Sequence, residues 1–76
     1  MNETKIKDLY LCAYLLNENQ ELMRMISDGT RFWFIFKQSS EIENLIENYW
    51  QGSAITNVKH YVDKIRNLKD RIFNKN

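Results

Sequence analysis

The residues of this sequence whose types and spacing could do chemistry are one tryptophan and three cationic side chains around an aromatic segment. The segment "SDGTRFWFIFKQ" covers residues 27–38, and its side chains would alternate between two faces of a strand. Phenylalanines fill one face, while the other carries Trp33 with Arg31 and Lys37. Arg24 joins this second face, which we call the tryptophan face, from the preceding segment. Bases stack on aromatic rings and phosphates pair with Arg or Lys, so the tryptophan face fits a ligand with flat rings and phosphate groups.

Three interpretations of the tryptophan face are open. In the first, Trp33 is merely covered by a cross-strand contact with Arg24, whose guanidinium would lie on the indole ring. In the second, the face binds a ligand. In the third, it is an interface between subunits, because Trp and Arg are enriched at such interfaces. The second and third interpretations can both hold if the ligand binds between subunits.

Another aromatic pair, Tyr49 and Trp50, ends an amphipathic helical pattern beside a glycine. The simplest interpretation is that both rings belong to the core. Because Gly52 follows so closely, the rings could instead lie at the rim of a binding site. The candidate ligand-binding residues are therefore Arg24, Arg31, Trp33, Lys37, Tyr49 and Trp50.

The sequence offers little for catalysis or metal binding. It contains one cysteine, Cys12, and one histidine, His60, so a zinc site of the Cys/His type cannot form within one chain. Cys12 lies in the most apolar run, where burial would make it an inert packing residue. Both glycines are expected in turns, which leaves no glycine-rich phosphate loop. We expect no enzyme activity, no metal and no cofactor.

The length and charge of the chain limit the class of protein. With 76 residues and one cysteine, the chain is expected to form a single domain, residues 1–76, without an intrachain disulfide. A core of this size gives a monomer little margin of stability, which favours self-association. The net charge of +1, from 11 basic and 10 acidic residues, is not that of a duplex-binding domain. No apolar run reaches the roughly 18 residues of a membrane span, and no signal peptide is evident. We expect a cytoplasmic homo-oligomer that binds neither membrane nor duplex nucleic acid.

The tryptophan face depends on a predicted β-hairpin. Asp28-Gly29 is a strong signal for a two-residue turn between "ELMRMI" and "RFWFIFK". With this turn, the register places Arg24 directly opposite Trp33. Met23 and Met25 then join the phenylalanine face, which needs cover from helices.

Helical patterns flank the hairpin on both sides. The first element is predicted as a helix from Asp8, which can act as its N-cap, to about Leu16, while its apolar run also fits a buried strand. The second helix begins with a capping box formed by Ser40 and Glu43. Gly52 lies where a left-handed C-cap is expected at its end.

A third helix is predicted to start near Thr56 or Asn57. Lys69, Arg71 and Lys75 near its end suit the negative end of the helix dipole. The order of elements is then α-β-β-α-α. It predicts a small single domain of the α+β class, in which a β-hairpin packs on helices.

Four stretches cover nearly the whole chain: "KDLYLCAYLL", "TRFWFIF", "IENLIENYWQGSA" and "YVDKIRNLKDRIF". In this order they resemble a family of short phage and bacterial proteins known only as a domain of unknown function. Tyr49, Trp50 and Gly52 match the glycine-ended helix of that family. The resemblance implies a phage or prophage setting, with the host cell cytoplasm as the location.

The phage setting implies a class of function. Short non-enzymatic phage proteins often counter host defences, and one class resembles sponges, small oligomers that sequester cyclic nucleotide immune signals. Our leading hypothesis is therefore a counter-defence protein that sequesters a cyclic nucleotide at an oligomer interface. One alternative is a protein-interaction module that inhibits a host defence protein, which an exposed Trp33 would serve. Another is a nucleic-acid accessory protein, which the near-neutral charge does not favour.

Overall fold

The computed structural model describes residues 2–73, which form three strands and three helices. In chain order the elements are β1 (Glu3–Ile6), α1 (Leu9–Asn17), β2 (Leu22–Ser27), β3 (Phe32–Lys37), α2 (Ser40–Gln51) and α3 (Val58–Phe73). The predicted α+β class is confirmed. The predicted order α-β-β-α-α is incomplete, because a short strand precedes the first helix. Lys75, which we expected near the end of the last helix, lies outside the described residues.

The unpredicted strand β1 completes a three-stranded antiparallel sheet in the order β1-β3-β2. Glu3 lies opposite Lys37, and Ile6 lies opposite Phe34. The strand has only four residues, of which only Ile6 is buried, so its own pattern is a weak signal. Such a strand depends on the neighbour with which it pairs. The predicted hairpin is therefore only part of the sheet, and β3 is the central strand.

The hairpin turn lies one residue further along the chain than the sequence predicts. Its closing pair is Asp28 and Arg31, whose N–H and carbonyl groups are hydrogen-bonded at 3.1 Å. The Asp28 carboxylate accepts the backbone N–H groups of Thr30 and Arg31 at 3.2 and 3.1 Å. Gly29, with a φ of +100°, then takes the first central position, where a left-handed conformation favours glycine. Asp28 thus supports the turn from its start through its side chain.

The displaced turn shifts the hairpin register by two residues, so the predicted Arg24–Trp33 pair is wrong. Trp33 lies opposite Ile26, and Arg24 lies opposite Ile35. From Arg24 onward, a shift of two keeps each side chain on its predicted face, because strand side chains alternate with a period of two. An irregularity just before Arg24 leaves Met23 without a partner in the ladder. Met23 is 46% exposed and does not complete the phenylalanine face.

The helix caps follow the sequence closely, with one displacement. The Asp8 carboxylate caps α1 by accepting N–H groups of the first turn. Ser39, rather than the predicted Ser40, caps α2, and its Oγ accepts the Ile42 N–H at 3.0 Å. Gly52 closes α2 with a φ of +80°, as predicted. The last helix starts within two residues of its predicted start.

The core centres on α1, which is buried on every side from residue 11 to residue 15. A helix that is apolar all round needs cover on all faces. Here β1, α2 and α3 contact α1, and the phenylalanine face of β3 joins the same cluster. The buried members of the cluster outside α1 are Ile6, Phe34, Phe36, Ile42 and Leu68.

Candidate functional site

The tryptophan face is covered by charged side chains from the chain's own sheet. Ile35 shares this face with Trp33, because the two residues lie two positions apart on β3. Ile35 is fully buried, although it lies outside the main core cluster. Lys5 of β1 and Arg24 of β2 both lie opposite Ile35, so two long side chains flank it. The burial of Ile35 therefore needs no second copy of the protein.

Arg24, the predicted partner of Trp33, forms an ion pair across the sheet instead. Its guanidinium donates two hydrogen bonds to the Glu3 carboxylate, at 2.9 and 3.0 Å. Because β3 lies between β1 and β2, this ion pair spans the central strand. These hydrogen bonds lower the pKa of the Glu3 carboxyl. Arg24 is therefore less available to pair with a phosphate than an arginine without an ion pair.

Lys7, rather than the predicted Arg24, lies beside Trp33. Its Nζ lies 5.8 Å from the centre of the Trp33 ring, within the range of a cation–π contact. Trp33 is half-buried. Arg31 is exposed next to the hairpin turn, and Lys37 is exposed at the end of β3. The predicted cations are thus spread along the sheet rather than gathered around Trp33.

Tyr49 and Trp50 form an aromatic pair at the end of α2. Tyr49 is half-buried, and its ring centre lies 5.9 Å from that of Tyr14 on α1. Burial raises the pKa of the Tyr49 hydroxyl. Trp50 packs at right angles to Tyr49, with ring centres 5.0 Å apart, yet 63% of its surface stays exposed. The structure therefore places Tyr49 at the edge of the core and Trp50 at the surface.

A groove of about 310 Å³ opens beside Trp50, where β1, α1 and α2 meet. Its walls combine aliphatic side chains, one indole ring and charged groups. We call it the tryptophan groove. It is lined by Lys5, Ile6, Lys7, Asp8, Leu11, Ile46 and Trp50.

The side chains of the tryptophan groove suit a ligand that is partly flat and partly anionic. Ile6 and Leu11 are buried and form an apolar floor, while the Trp50 ring is exposed beside them. Lys5 and Lys7 are exposed, and neither takes part in an ion pair within residues 2–73. A ring could stack on the indole while an anionic group at the edge of the groove pairs with the side chains of Lys5 and Lys7.

Lys5 and Lys7 are the residues of this groove that the sequence prediction missed. They were missed because β1 was not predicted, so nothing placed them near either tryptophan. A signal was present, since Thr4 and Ile6 alternate with Lys5 and Lys7. This period of two is typical of a strand with one buried face. The alternating segment is short, so its signal is weaker than that of the longer hairpin.

A larger and more polar cavity, of about 480 Å³, lies between the end of α1 and α3. Its lining residues are Leu16, Asn17, Asn19, His60, Asp63, Lys64 and Asn67. None of these is a Phe, Tyr or Trp, the one ring is the His60 imidazole, and two of the residues already have partners. The Asn17 amide donates to Thr56 at 2.7 Å, and Asp63 pairs with Lys59 at 3.4 Å. This cavity therefore fits the predicted ring-and-phosphate chemistry less well than the tryptophan groove.

The groups that could support catalysis lie away from the tryptophan groove. Cys12 is fully buried, and desolvation raises the pKa of its thiol to about 12. His60 is exposed on α3. Within residues 2–73, no three His, Cys, Asp or Glu side chains are placed to hold a metal ion. None of the helices in this part of the chain is long and apolar enough to cross a membrane.

These features define a small α+β domain with a three-stranded antiparallel sheet, a buried central helix and a tryptophan groove at the sheet edge. The chain belongs to the family described as domain of unknown function DUF5659, whose model matches residues 1–74. The resemblance to a domain of unknown function is thereby confirmed, while the phage setting stays a prediction. Comparison with curated proteins and with solved structures gives no significant match.

Proposed function

We propose that this protein acts by binding, without catalysis, and that its ligand is a nucleotide held in the tryptophan groove. The observation that carries the proposal is the grouping of Trp50, Lys5 and Lys7 around an apolar floor. A base would stack on the Trp50 ring, and the ammonium groups would pair with phosphate oxygens. The volume of about 310 Å³ lies at the lower end of the range for small-molecule sites, which is about 300 to 1,000 Å³.

The start of α1 lies beside the tryptophan groove, and its own N-cap residue, Asp8, already occupies the anion position there. A helix N-terminus carries partial positive charge, and α1 begins at Leu9, two residues after Lys7. The Asp8 carboxylate accepts the N–H groups of Tyr10 and Leu11 at 2.8 and 3.1 Å. These N–H groups are therefore not free to bind a phosphate, and the anion-binding charge of the groove comes from Lys5 and Lys7. The two lysines then dominate the local charge.

In this proposal the biological ligand is a cyclic nucleotide immune signal, which the protein sequesters in the host cell cytoplasm. The role as a phage-type counter-defence protein rests on the resemblance to short phage proteins. A sequestering protein needs tight binding and no turnover of its ligand. Assembly of two or more copies around the ligand would supply one tryptophan groove for each base of a signal with several bases.

Lys7, which was not predicted, connects the tryptophan face to the tryptophan groove. Lys7 lines the tryptophan groove and also contacts the Trp33 ring, so it links the two tryptophans. Arg31 and Lys37 are exposed cations that would steer anions toward this side of the molecule. Arg24 would contribute least, because its guanidinium is already ion-paired.

A thermal-shift screen against mononucleotides, cyclic dinucleotides and cyclic trinucleotides tests this function. A ligand that binds only the folded protein raises Tm by mass action, so at least one nucleotide should raise the Tm of the wild type. The increase should vanish in Trp50→Ala and shrink in Lys7→Ala. Lys59→Ala, which removes an exposed lysine outside the groove, is the matched control and should keep the full increase. A wild type whose Tm responds to no nucleotide would contradict the proposal.

An exposed apolar surface favours a second candidate function, a protein-interaction module that inhibits a host defence protein. Trp50, Ile55 and Val58 are 63%, 87% and 72% exposed around the loop between α2 and α3. Exposed apolar patches often mark protein–protein contacts. For this function, Ile55→Asp should abolish binding to a purified host target while no nucleotide changes the Tm of the wild type. If a nucleotide raises the Tm of the wild type and of Ile55→Asp equally, the result supports nucleotide binding rather than inhibition of a host protein.

A further inference from the structure

Two helices of the protein carry opposite charge. α2 contains three glutamates and no lysine or arginine, which gives it a formal charge of −3. α3 contains five lysines and arginines and two aspartates, which gives it a formal charge of +3. The glutamates are Glu41, Glu43 and Glu47, and the cations are Lys59, Lys64, Arg66, Lys69 and Arg71. The near-neutral net charge of the chain, +1, thus conceals two separate charged surfaces.

The opposite charges of α2 and α3 are not used up by ion pairs within residues 2–73. The ion pairs of that region involve neither the α2 glutamates nor Arg66 or Lys69. Glu43 and Glu47 accept hydrogen bonds from the neutral amides of glutamine side chains. Lys69 lies 6.0 Å from the ring centre of Tyr10, which leaves its charge uncompensated.

The positions of α2 and α3 keep the negative charge of one from neutralising the positive charge of the other within one chain. Both helices pack against α1, and they make at most slight contact with each other. Glu43, Glu47, Arg66 and Lys69 are all exposed. Complementary charges on separate surfaces of one molecule attract a second copy of that molecule.

The spacing of the charged side chains also matches between the two helices. Glu43 and Glu47 are one turn apart on α2, as Arg66 and Lys69 are on α3. The stripe of α3 cations is extended at both ends by apolar side chains at helical spacing. These are Val62 and Phe73, which are 36% and 78% exposed.

We propose that α2 of one copy packs against α3 of a second copy in a head-to-tail assembly. A second copy is the partner that fits, because each molecule carries both halves of the complementary pair. A head-to-tail contact joins different surfaces of two subunits, so it produces a ring when it closes. Exposed charges are screened over a Debye length of about 10 Å at 0.1 M salt, so the assembly weakens as ionic strength rises. This inference does not depend on nucleotide binding in the tryptophan groove.

Sedimentation velocity of the full chain, at several protein and salt concentrations, tests whether the assembly forms. At low salt the weight-average mass should rise above the 9.2 kDa of one chain as protein concentration increases. In about 1 M salt, where screening is nearly complete, it should return toward the mass of one chain. A constant one-chain mass at low salt would overturn the proposal, as would an assembly that salt does not weaken.

Charge reversal tests which surfaces meet. The double variant Glu43→Lys with Glu47→Lys should sediment as single chains at low salt, and so should Arg66→Glu with Lys69→Glu. An equimolar mixture of the two should assemble again, because each α2 then meets an α3 of opposite charge: the two unaltered helices attract each other, and so do the two reversed ones. A mixture that stays as single chains would overturn the proposal.

The matched control is Arg31→Glu with Lys37→Glu, which changes net charge by the same amount on the hairpin. It should assemble as the wild type does, and a loss of assembly would show that net charge rather than α3 is responsible. Circular dichroism establishes that each variant is folded. If one double variant does not fold, the sedimentation mass of the other still tests the contact. A folded double variant that assembles at low salt contradicts the proposed contact.

Discussion

Trp33 and Trp50 show how the surroundings of a side chain decide what it can contribute to a site. The sequence draws attention to Trp33, because it stands in a strand that already has one apolar face. In the structure Trp33 is half-buried and has Lys7 against its ring. Trp50 is 63% exposed and lines a groove with Lys5 and Lys7. The more accessible ring is therefore that of Trp50, which the helical pattern of the sequence assigned to the core.

The burial of Cys12 predicts an unreactive thiol in the folded protein. Desolvation raises the pKa of Cys12 to about 12, so little thiolate is present at pH 8, and the side chain is fully buried. We expect the folded protein to react slowly with Ellman's reagent, at a rate set by unfolding. The same protein in concentrated urea is the control and should react at once. Prompt and complete reaction of the folded protein would show that Cys12 is accessible.

At the scale of elements, the sequence predicts features that neighbouring residues control. Asp8 and Gly52 act locally, and each caps its helix as predicted. β1 and the hairpin register depend on pairing between distant residues. A carboxylate–amide contact of Asp28 sets the turn, and the turn determines the partner of Trp33. A sequence pattern cannot distinguish this turn from the Asp28-Gly29 turn, because from Arg24 onward both keep the same side chains on each face.

The start of α2 provides a direct test of the observed helix boundary. Ser39 accepts the Ile42 N–H, and loss of an N-cap hydroxyl typically costs about 1 kcal/mol. In urea denaturation, we expect Ser39→Ala to lower the free energy of unfolding by about 1 kcal/mol. Ser40→Ala, the matched control, should change it much less. A larger loss of unfolding free energy in Ser40→Ala than in Ser39→Ala would indicate that Ser40 is the N-cap, as predicted from the sequence.

At the scale of the whole molecule, one core cluster draws on all six elements, and the candidate sites lie around its edges. The α+β class follows from burial patterns that are visible in the sequence. The candidate site was predictable only as a type of chemistry, an aromatic ring with cations. Its location was not, because Lys5, Leu11 and Trp50 come from three elements that no local pattern brings together. The lysines of β1 become neighbours of Trp50 only once α1 and α2 are packed.

Calorimetric titration with the nucleotide that most increases Tm is the measurement that tests the central claim most directly. Stacking of a base on an aromatic side chain contributes about 1 to 3 kcal/mol, so Trp50→Ala should weaken binding by about 5-fold to 150-fold. Lys5→Ala with Lys7→Ala should also weaken binding. Lys64→Ala, which alters the other cavity, should leave the affinity unchanged. Wild-type affinity in Trp50→Ala, or an equal loss in Lys64→Ala, would contradict nucleotide binding in the tryptophan groove.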